Sequence, residues 1–322
     1  MQHISSLIGD ELEKVEVELF NVLSSDVPII NKAGGYIIGS GGKRFRPLML
    51  LLAAKYCNYR GEKHINLACI FEFIHTATLL HDDVLDHAKM RRGNSSVNSV
   101  WGNQTSVLVG DFLLSKAFSM LVEIGDIKIM KVVSNATTQV AEGEVMQTDK
   151  SSDTNLTEEE YITIITKKTA SLISAACQTG AILGGSSTKM ENNFRNYGLH
   201  LGIAFQMVDD ALDYVSDDQR FGKSMYKDLQ EKKITLPLIH TLKKASAKDR
   251  EKILKMLKSD SLDEKKSSVV AQLIEDYQGV TYVYSKARES LSACVGYLKE
   301  MDSSPVRDAL MATANYAVER KW

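Results

Sequence analysis

Six aspartates in two matching patterns mark where this chain can do chemistry. Asp82, Asp83 and Asp86 lie in HTATLLHDDVLDHAKMRRG, from His75 to Gly93. Asp209, Asp210 and Asp213 lie in FQMVDDALDY. Asp82 and Asp86, like Asp209 and Asp213, are spaced to share one face of a helix. Carboxylates stacked in that way repel each other and are costly to hold together without a cation. Arg91 and Arg92 follow the first set. Hard carboxylate oxygens beside paired guanidiniums point to a phosphate bridged by Mg²⁺.

One such pattern alone reads equally well as a solvated acidic face. The repeat shifts that balance. His75, Leu79, Asp82 and Asp86 form one stripe, and Gly202, Gln206, Asp209 and Asp213 form another with the same spacing. Both begin in apolar sequence, FEFIHTATLL and LGIAF. Acids on helices that are otherwise buried call for a functional reason.

Cations cluster in three further places. Asn31–Gly42 holds five glycines around YII and runs into Lys43, Arg44, Phe45, Arg46 and Pro47. This composition resembles a backbone anion cradle, although the spacing of a Walker A loop is absent. Taken alone it reads more readily as a flexible basic turn. Lys167, Lys168 and Thr169 precede the small-residue run ASLISAACQTGAILGG. Asp217–Thr235 is polar and lysine-rich, with Lys223, Lys227, Lys232 and Lys233. It reads as a solvated loop, or as a mobile lid over the acidic site.

The elements that must position these groups are helices. Only four prolines occur, and none lies between Pro47 and Pro237, so helices can run there without interruption. Alternating strands with hairpin dipeptides are not evident. The spacing predicts an amphipathic helix over 5–24, with Ile8, Leu12, Val15, Leu19 and Val22 inward. A buried helix follows over 48–57, then one over 67–90 capped by Asn66 and broken by Gly93-Asn94-Ser95. Further helices are expected over 106–122 and 128–149. Another starts at a Thr157–Glu160 capping box, and one over 191–216 carries the second stripe. Three or four amphipathic helices follow Pro237. No linker of domain-boundary length appears, so the expectation is one domain over 1–322, all-α, with two facing acidic helices at its core.

Composition limits the function classes. Hydrophobic residues make up 44% and charged residues 25% of a chain with net charge −2, which gives no nucleic-acid signature. Cys57, Cys69, Cys177 and Cys294 are scattered and read as buried thiols in a reducing compartment. The N-terminus does not read as a signal peptide, and no apolar run is long enough to span a bilayer. A cytoplasmic protein is expected, with at most peripheral membrane contact for product release.

If both stripes face one cavity, a Mg²⁺ cluster there would grip a diphosphate and neutralise it as a leaving group. The apolar segments preceding the acids would line a pocket that shields a carbocation from water. Lys43, Arg46, His75 and Arg92 could then hold a second diphosphate.

The motifs GGKRFRP (41–47), HDDVLD (81–86), RRG (91–93), KT (168–169), FQMVDDALD (205–213) and KDLQEKKITLP (227–237) closely resemble those of the trans-isoprenyl diphosphate synthases, or polyprenyl synthetases. The resemblance covers essentially the whole chain. It implies the all-helical isoprenoid synthase fold, a single large bundle around a central cavity, and a homodimer. It implies three Mg²⁺ per site, held by Asp82, Asp86 and Asp209. Asp83, Asp210 and Asp213 would act through hydrogen bonds or bound water. Arg91, Lys168 and Lys223 would hold the allylic diphosphate, and Lys43, Arg46, His75 and Arg92 isopentenyl diphosphate. Thr169 and Gln206 would place oxygens near the developing cation. In the lid, Tyr226 and Lys232 stand where relatives commonly have glycine. Asp228 and the substrate-binding Lys233 keep the charge pattern.

Two positions before the first acids bear on product length. Short-chain members resemble one another in placing a bulky aromatic there. Here Ala77 and Thr78 are both small, which implies a deeper tunnel and an octaprenyl-like product for quinone side chains, with farnesyl diphosphate as primer. The alternatives are a shorter-chain synthase, a class I terpene cyclase and a non-catalytic synthase subunit. Cyclases lack a second DDxxD and need no site for isopentenyl diphosphate, whereas such subunits usually lose aspartates.

Overall fold

The structure is a computed structural model that describes residues 2–215, 226–259 and 262–319, with side chains from residue 6 onward. The described residues are all-α apart from one two-residue hairpin. In chain order the elements are α1 (Gln2–Leu23), α2 (Pro28–Gly39), α3 (Phe45–Tyr56), α4 (Lys63–Leu85), β1 (Met90–Arg91), β2 (Asn94–Ser95), α5 (Val97–Trp101), α6 (Asn103–Ile124), α7 (Ile127–Asp149) and α8 (Glu158–Ile165). A π-helical turn over Thr166–Ala170 leads into α9 (Ser171–Leu183). There follow α10 (Thr188–Leu212), α11 (Lys227–Gln230), α12 (Leu236–Lys244), α13 (Ala247–Leu257), α14 (Glu264–Asp276), α15 (Gly279–Lys299) and α16 (Pro305–Glu319).

The chain divides into two compact units. The first comprises Met1–Thr137, Leu172–Arg195 and Asp302–Leu310, and the second comprises Thr138–Ser171, Asn196–Met301 and Met311–Trp322. In the first unit α4 is apolar nearly all round. It buries Leu67, Ile70, Phe71, Phe73, Ile74, Ala77 and Leu80 against α1, α3 and α6. A helix without a polar face has to sit inside, and each large side chain so buried contributes about 1.5–3 kcal/mol. On α9, a Cβ on Gly180 would lie 2.4 Å from the Leu50 carbonyl oxygen, which explains the small residues there.

In the second unit, apolar positions of α8, α10, α12, α14 and α15 meet in one core that includes Tyr161, Val208, Leu236, Ile274 and Val283. The capping box is formed as expected: Thr157 accepts from the Glu160 N–H while Glu160 accepts from the Thr157 N–H. Among the described residues no helix is long and apolar enough to cross a membrane.

Several expected boundaries shift. The segment Asn31–Gly42 is mostly helix, as part of α2, which Pro28 opens. Gly34 serves helix packing: a Cβ there would fall 2.7 Å from Leu23. Only Gly41 and Gly42, at φ of 82° and 147°, remain as a loop ahead of the cations. The helix expected over 67–90 runs over Lys63–Leu85 instead. The first helical turn tolerates the polar Lys63 and His64, and no side-chain cap holds its start.

Candidate active site

Helix α4 ends at Leu85, so Asp86 is its C-cap, with its N–H bonded to the Asp82 carbonyl at 2.8 Å. Asp82 and Asp86 are both half-buried and one turn apart. Asp83 is fully buried. Arg91 donates to Asp83 Oδ1 through Nε at 2.9 Å and Nη2 at 2.5 Å, while Asp83 Oδ2 is buried with no hydrogen-bond partner. The middle acid of the motif is therefore an anchor for the segment that follows. That segment is not a helical continuation. It is the hairpin β1–β2, in register Arg91↔Asn94, turned by Arg92 and Gly93 at φ of 52° and 79°. Two successive positive φ values suit the right-handed twist of a two-residue hairpin.

The turn delivers Arg92 to the GGKR loop, where its guanidinium donates to the Gly41 carbonyl. A Cβ on Gly42 would lie 2.9 Å from that guanidinium. Gly42 thus leaves room for Arg92, while Gly41 supplies the carbonyl that receives it. The next residues split by direction. Lys43 is exposed. Arg44 takes a left-handed backbone at φ 44° and turns inward. It bonds Glu16 at 2.5 and 2.9 Å, Glu72 at 2.8 Å and the Ile38 carbonyl at 2.8 Å. Burial opposes its charge, but Glu16 and Glu72 outweigh that and hold its pKa above the ordinary range.

Arg46, His75 and Arg92 are left in a cation cluster short of negative charge. Arg46 has a buried Nε without a hydrogen-bond partner. Burial brings its pKa down to about 10, with Arg92 adding repulsion and Glu72 opposing. His75 lies well below its ordinary 6.5, first through burial and then through Arg46, Arg92, Arg91 and Arg44. Burial also lowers Arg92. An anion brought to this cluster relieves all three groups.

In the second unit the stripe is built differently. Gly202 packs against the π-helical turn, where a Cβ would lie 2.5 Å from Ala170 Cα. Asp209 is exposed and Asp210 buried. Asp210 accepts from the Tyr161 hydroxyl at 2.6 Å and from Gln206 Nε2 at 2.7 Å. Gln206 Oε1 in turn accepts from Thr169 Oγ1 at 2.8 Å. Burial pushes Asp210 up to about 7, with Asp209 and Asp213 adding to the rise and the two hydrogen bonds opposing it. Asp213, expected within a helix over 191–216, lies just beyond the observed one, because α10 stops at Leu212. Its carboxylate accepts from the N–H groups of Lys227 and Asp228 at 3.2 and 3.0 Å, capping α11.

The π-helical turn holds Lys167, Lys168 and Thr169. Single π turns re-aim side chains and gather at functional sites. Here Lys167 pairs with Glu142 at 2.6 Å and Lys168 with Glu144 at 2.5 Å, on either side of Gly143. A Cβ on Gly143 would lie 2.5 Å from the Lys168 nitrogen. Lys233 pairs with Glu231 at 2.8 Å. Lys223 lies outside the described residues. Tyr226 and Lys232 both adopt left-handed backbone, at φ 61° and 56°, which is why glycine suits those positions. Among the described residues no three acidic, histidine or cysteine side chains gather as a ready-made metal cage.

Residues 27–276 match the polyprenyl synthetase family. The chain belongs to that family. It is 38% identical over 320 residues to octaprenyl diphosphate synthase of Escherichia coli K12, covering 99% of each chain. A polyprenyl synthase of Caulobacter crescentus CB15, solved with calcium and isoprenyl diphosphate, superposes with a TM-score of 0.96 at 35% identity. The match covers 100% of this chain and 98% of that one. A decaprenyl diphosphate synthase of Rhodobacter capsulatus gives 0.93 at 34%, covering 99% and 98%. The fold is thus the all-α isoprenoid synthase fold, and the enzyme is a prenyltransferase.

In this polyprenyl synthetase, sequence reading overlooked the residues that hold the motifs in place. Glu72 was available as a lone acid within the apolar run CIFEFI. Glu16, Glu142 and Glu144 lie on ordinary amphipathic helices and give no signal. Tyr161, the donor to Asp210, looks like a core aromatic. Of the two positions tied to product length, Ala77 is buried, and Thr78 is half-buried with its hydroxyl bonded back to the His75 carbonyl at 2.7 Å.

Proposed function

We propose that this prenyltransferase elongates farnesyl diphosphate by successive head-to-tail condensation with isopentenyl diphosphate, giving an octaprenyl-like all-trans diphosphate for quinone side chains. The observation that carries this reading is the end-to-end identity to octaprenyl diphosphate synthase, joined to six intact aspartates. The same end-to-end match supports treating residues 1–322 as one catalytic domain.

Asp82, Asp86 and Asp209 are the metal ligands in this reading, with three Mg²⁺ per site. Their donors are all carboxylate oxygens, and none stands in a closed protein cage. That suits Mg²⁺, which keeps waters and substrate phosphate oxygens in its shell beside one or two carboxylates. Asp82, Asp86 and Asp209 would hold the metal, which would supply charge to neutralise a departing diphosphate. Arg91, Lys168 and Lys223 hold the allylic diphosphate, with Lys233 in the same polar segment. Lys43, Arg46, His75 and Arg92 hold isopentenyl diphosphate, whose charge the cation cluster lacks. Thr169 Oγ1 spends its proton on Gln206, so its lone pairs remain for the allylic cation. Asp83, Asp210 and Asp213 act by holding Arg91, Gln206 and α11.

In each round the allylic C–O bond breaks and its electron pair leaves with the diphosphate. The isopentenyl double bond then forms the new C–C bond, and a proton is lost to the departed diphosphate as a new double bond closes. The small side chains of Ala77 and Thr78 leave depth for the growing chain. A homodimer belongs to the same reading, and Val107, Leu108 and Val122 on α6 and Ile127 on α7 are large apolar side chains left exposed. A cytoplasmic location accords with the scattered, mostly buried cysteines.

The test is turnover of purified protein with farnesyl diphosphate and labelled isopentenyl diphosphate, with Mg²⁺ or with chelator. Label should enter an extractable prenyl product only with the metal. Incorporation that ignores the chelator, or none with Mg²⁺, overturns the reading.

A further inference from the structure

Charge on this chain is unevenly spread. The whole carries a formal net charge of −2, yet between Lys243 and Lys258 seven cations stand against two acids, Asp249 and Glu251. Lys243, Lys244, Lys248, Lys252, Lys255 and Lys258 are all exposed. Among the described residues none of these six enters an ion pair, whereas Lys167, Lys168, Lys227 and Lys233 all do.

The lysines form a surface because of how α13 sits. It buries Ile253 and Leu257. Lys248, Lys252, Lys255 and Lys258 recur at three- and four-residue steps on the opposite side, one turn above another. Lys243 and Lys244 close α12 just before it. The Asp249 carboxylate is held by the Tyr277 hydroxyl at 2.8 Å and the Ser246 hydroxyl at 2.9 Å. Asp249 is kept ionised and offsets part of the charge of Lys248 and Lys252, but two acids leave five of the seven cations unbalanced.

A solvated face has no need of this pattern. Like charges at helical spacing repel, and Lys248 stands in the first turn, where the helix dipole favours acids. Lys255 in the last turn suits the dipole, so the cost falls on Lys248 and on repulsion between neighbouring lysines. An anionic partner removes both penalties.

We propose that the α12–α13 lysine ridge docks the enzyme on an anionic lipid surface. The choice of lipid rests on the function proposed above. A diphosphate on a long apolar chain leaves water for a bilayer, so an enzyme held against one releases product where it partitions. Exposed lysines on one convex helix face suit a plane of headgroups, and each cation near such a surface strengthens binding roughly fivefold.

The full chain is sedimented with phosphatidylcholine vesicles, with vesicles containing phosphatidylglycerol, and with duplex DNA as a competing polyanion, all at low salt. Binding is expected to the anionic vesicles only. It should weaken roughly a hundredfold in Lys248→Gln/Lys252→Gln/Lys255→Gln and be lost by the wild type at high salt. In detergent the triple variant should keep wild-type turnover. Absence of vesicle binding, undiminished binding by the triple variant, or preference for DNA overturns the proposal. Turnover is scored separately. Elongation without vesicle binding sinks the ridge alone, and vesicle binding without elongation sinks the function alone.

Discussion

The two DDxxD motifs look alike in sequence but are supported by opposite means. In α4 the middle acid, Asp83, is buried against a full cation, Arg91 at 2.5 Å. In α10 the middle acid, Asp210, is buried among neutral donors, Tyr161 and Gln206, and its pKa rises to about 7. The last acids differ too. Asp86 ends its helix, whereas Asp213 has left its helix to cap α11. One pattern of carboxylates can therefore serve two environments. The first uses charge to fix a hairpin that carries Arg91 and Arg92. The second uses hydrogen bonds to fix the Thr169–Gln206 pair.

The largest expected effect falls where the two motifs remain alike. Asp82→Ala and Asp209→Ala should each lower kcat/KM by roughly a thousandfold, the scale of losing one electrostatic group at a reacting centre, with circular dichroism unchanged. A wild-type rate in either variant would remove that carboxylate from the metal set. The middle acids should then separate. Asp83→Asn leaves Arg91 without its buried partner and should cost about 3 kcal/mol in urea denaturation. Asp210→Asn keeps an oxygen for one donor and should cost about 1 kcal/mol. Equal costs would erase the distinction drawn between them.

Much of this was legible in sequence, and the reason lies in periodicity. α1, α3 and α6 carry apolar stripes that only a packed helix explains, and the acids show at helical spacing. The end of α4 was not legible, because HAKMRRG continues a helical composition while Asp83 and Arg91 hold a hairpin there. Nor was the π-helical turn at Thr166–Ala170, which has no composition of its own and exists through packing against Gly143 and Gly202. The inward turn of Arg44 was equally hidden, since RFR reads as uniformly basic until Glu16 and Glu72 are placed beside it.

A pH series sharpens the contrast from the cationic side. His75 is held below its ordinary 6.5 by burial and by Arg46, Arg92, Arg91 and Arg44. The unfolded chain then takes up a proton near 6.5 that the folded chain refuses, so His75 costs no stability above that pH and lowers it as pH drops through 6.5. His75→Gln should flatten this part of the stability profile. An unchanged slope would mean that the loss arises elsewhere.

The smallest effect belongs to the segment after Asp213. Lys232→Gly removes a left-handed non-glycine residue at φ 56° and should raise stability by up to about 1 kcal/mol. A destabilised variant would show that the Lys232 side chain contributes more than its backbone costs.

Elongation to a long chain depends, in the function proposed above, on a floor left open by Ala77 and Thr78. Its most direct test is chromatography of the product made from farnesyl diphosphate and labelled isopentenyl diphosphate, by the wild type and by Ala77→Tyr. An octaprenyl-length product is expected from the wild type and a shorter one from Ala77→Tyr. A wild-type product that stops at geranylgeranyl length, or an unchanged length in Ala77→Tyr, would contradict it.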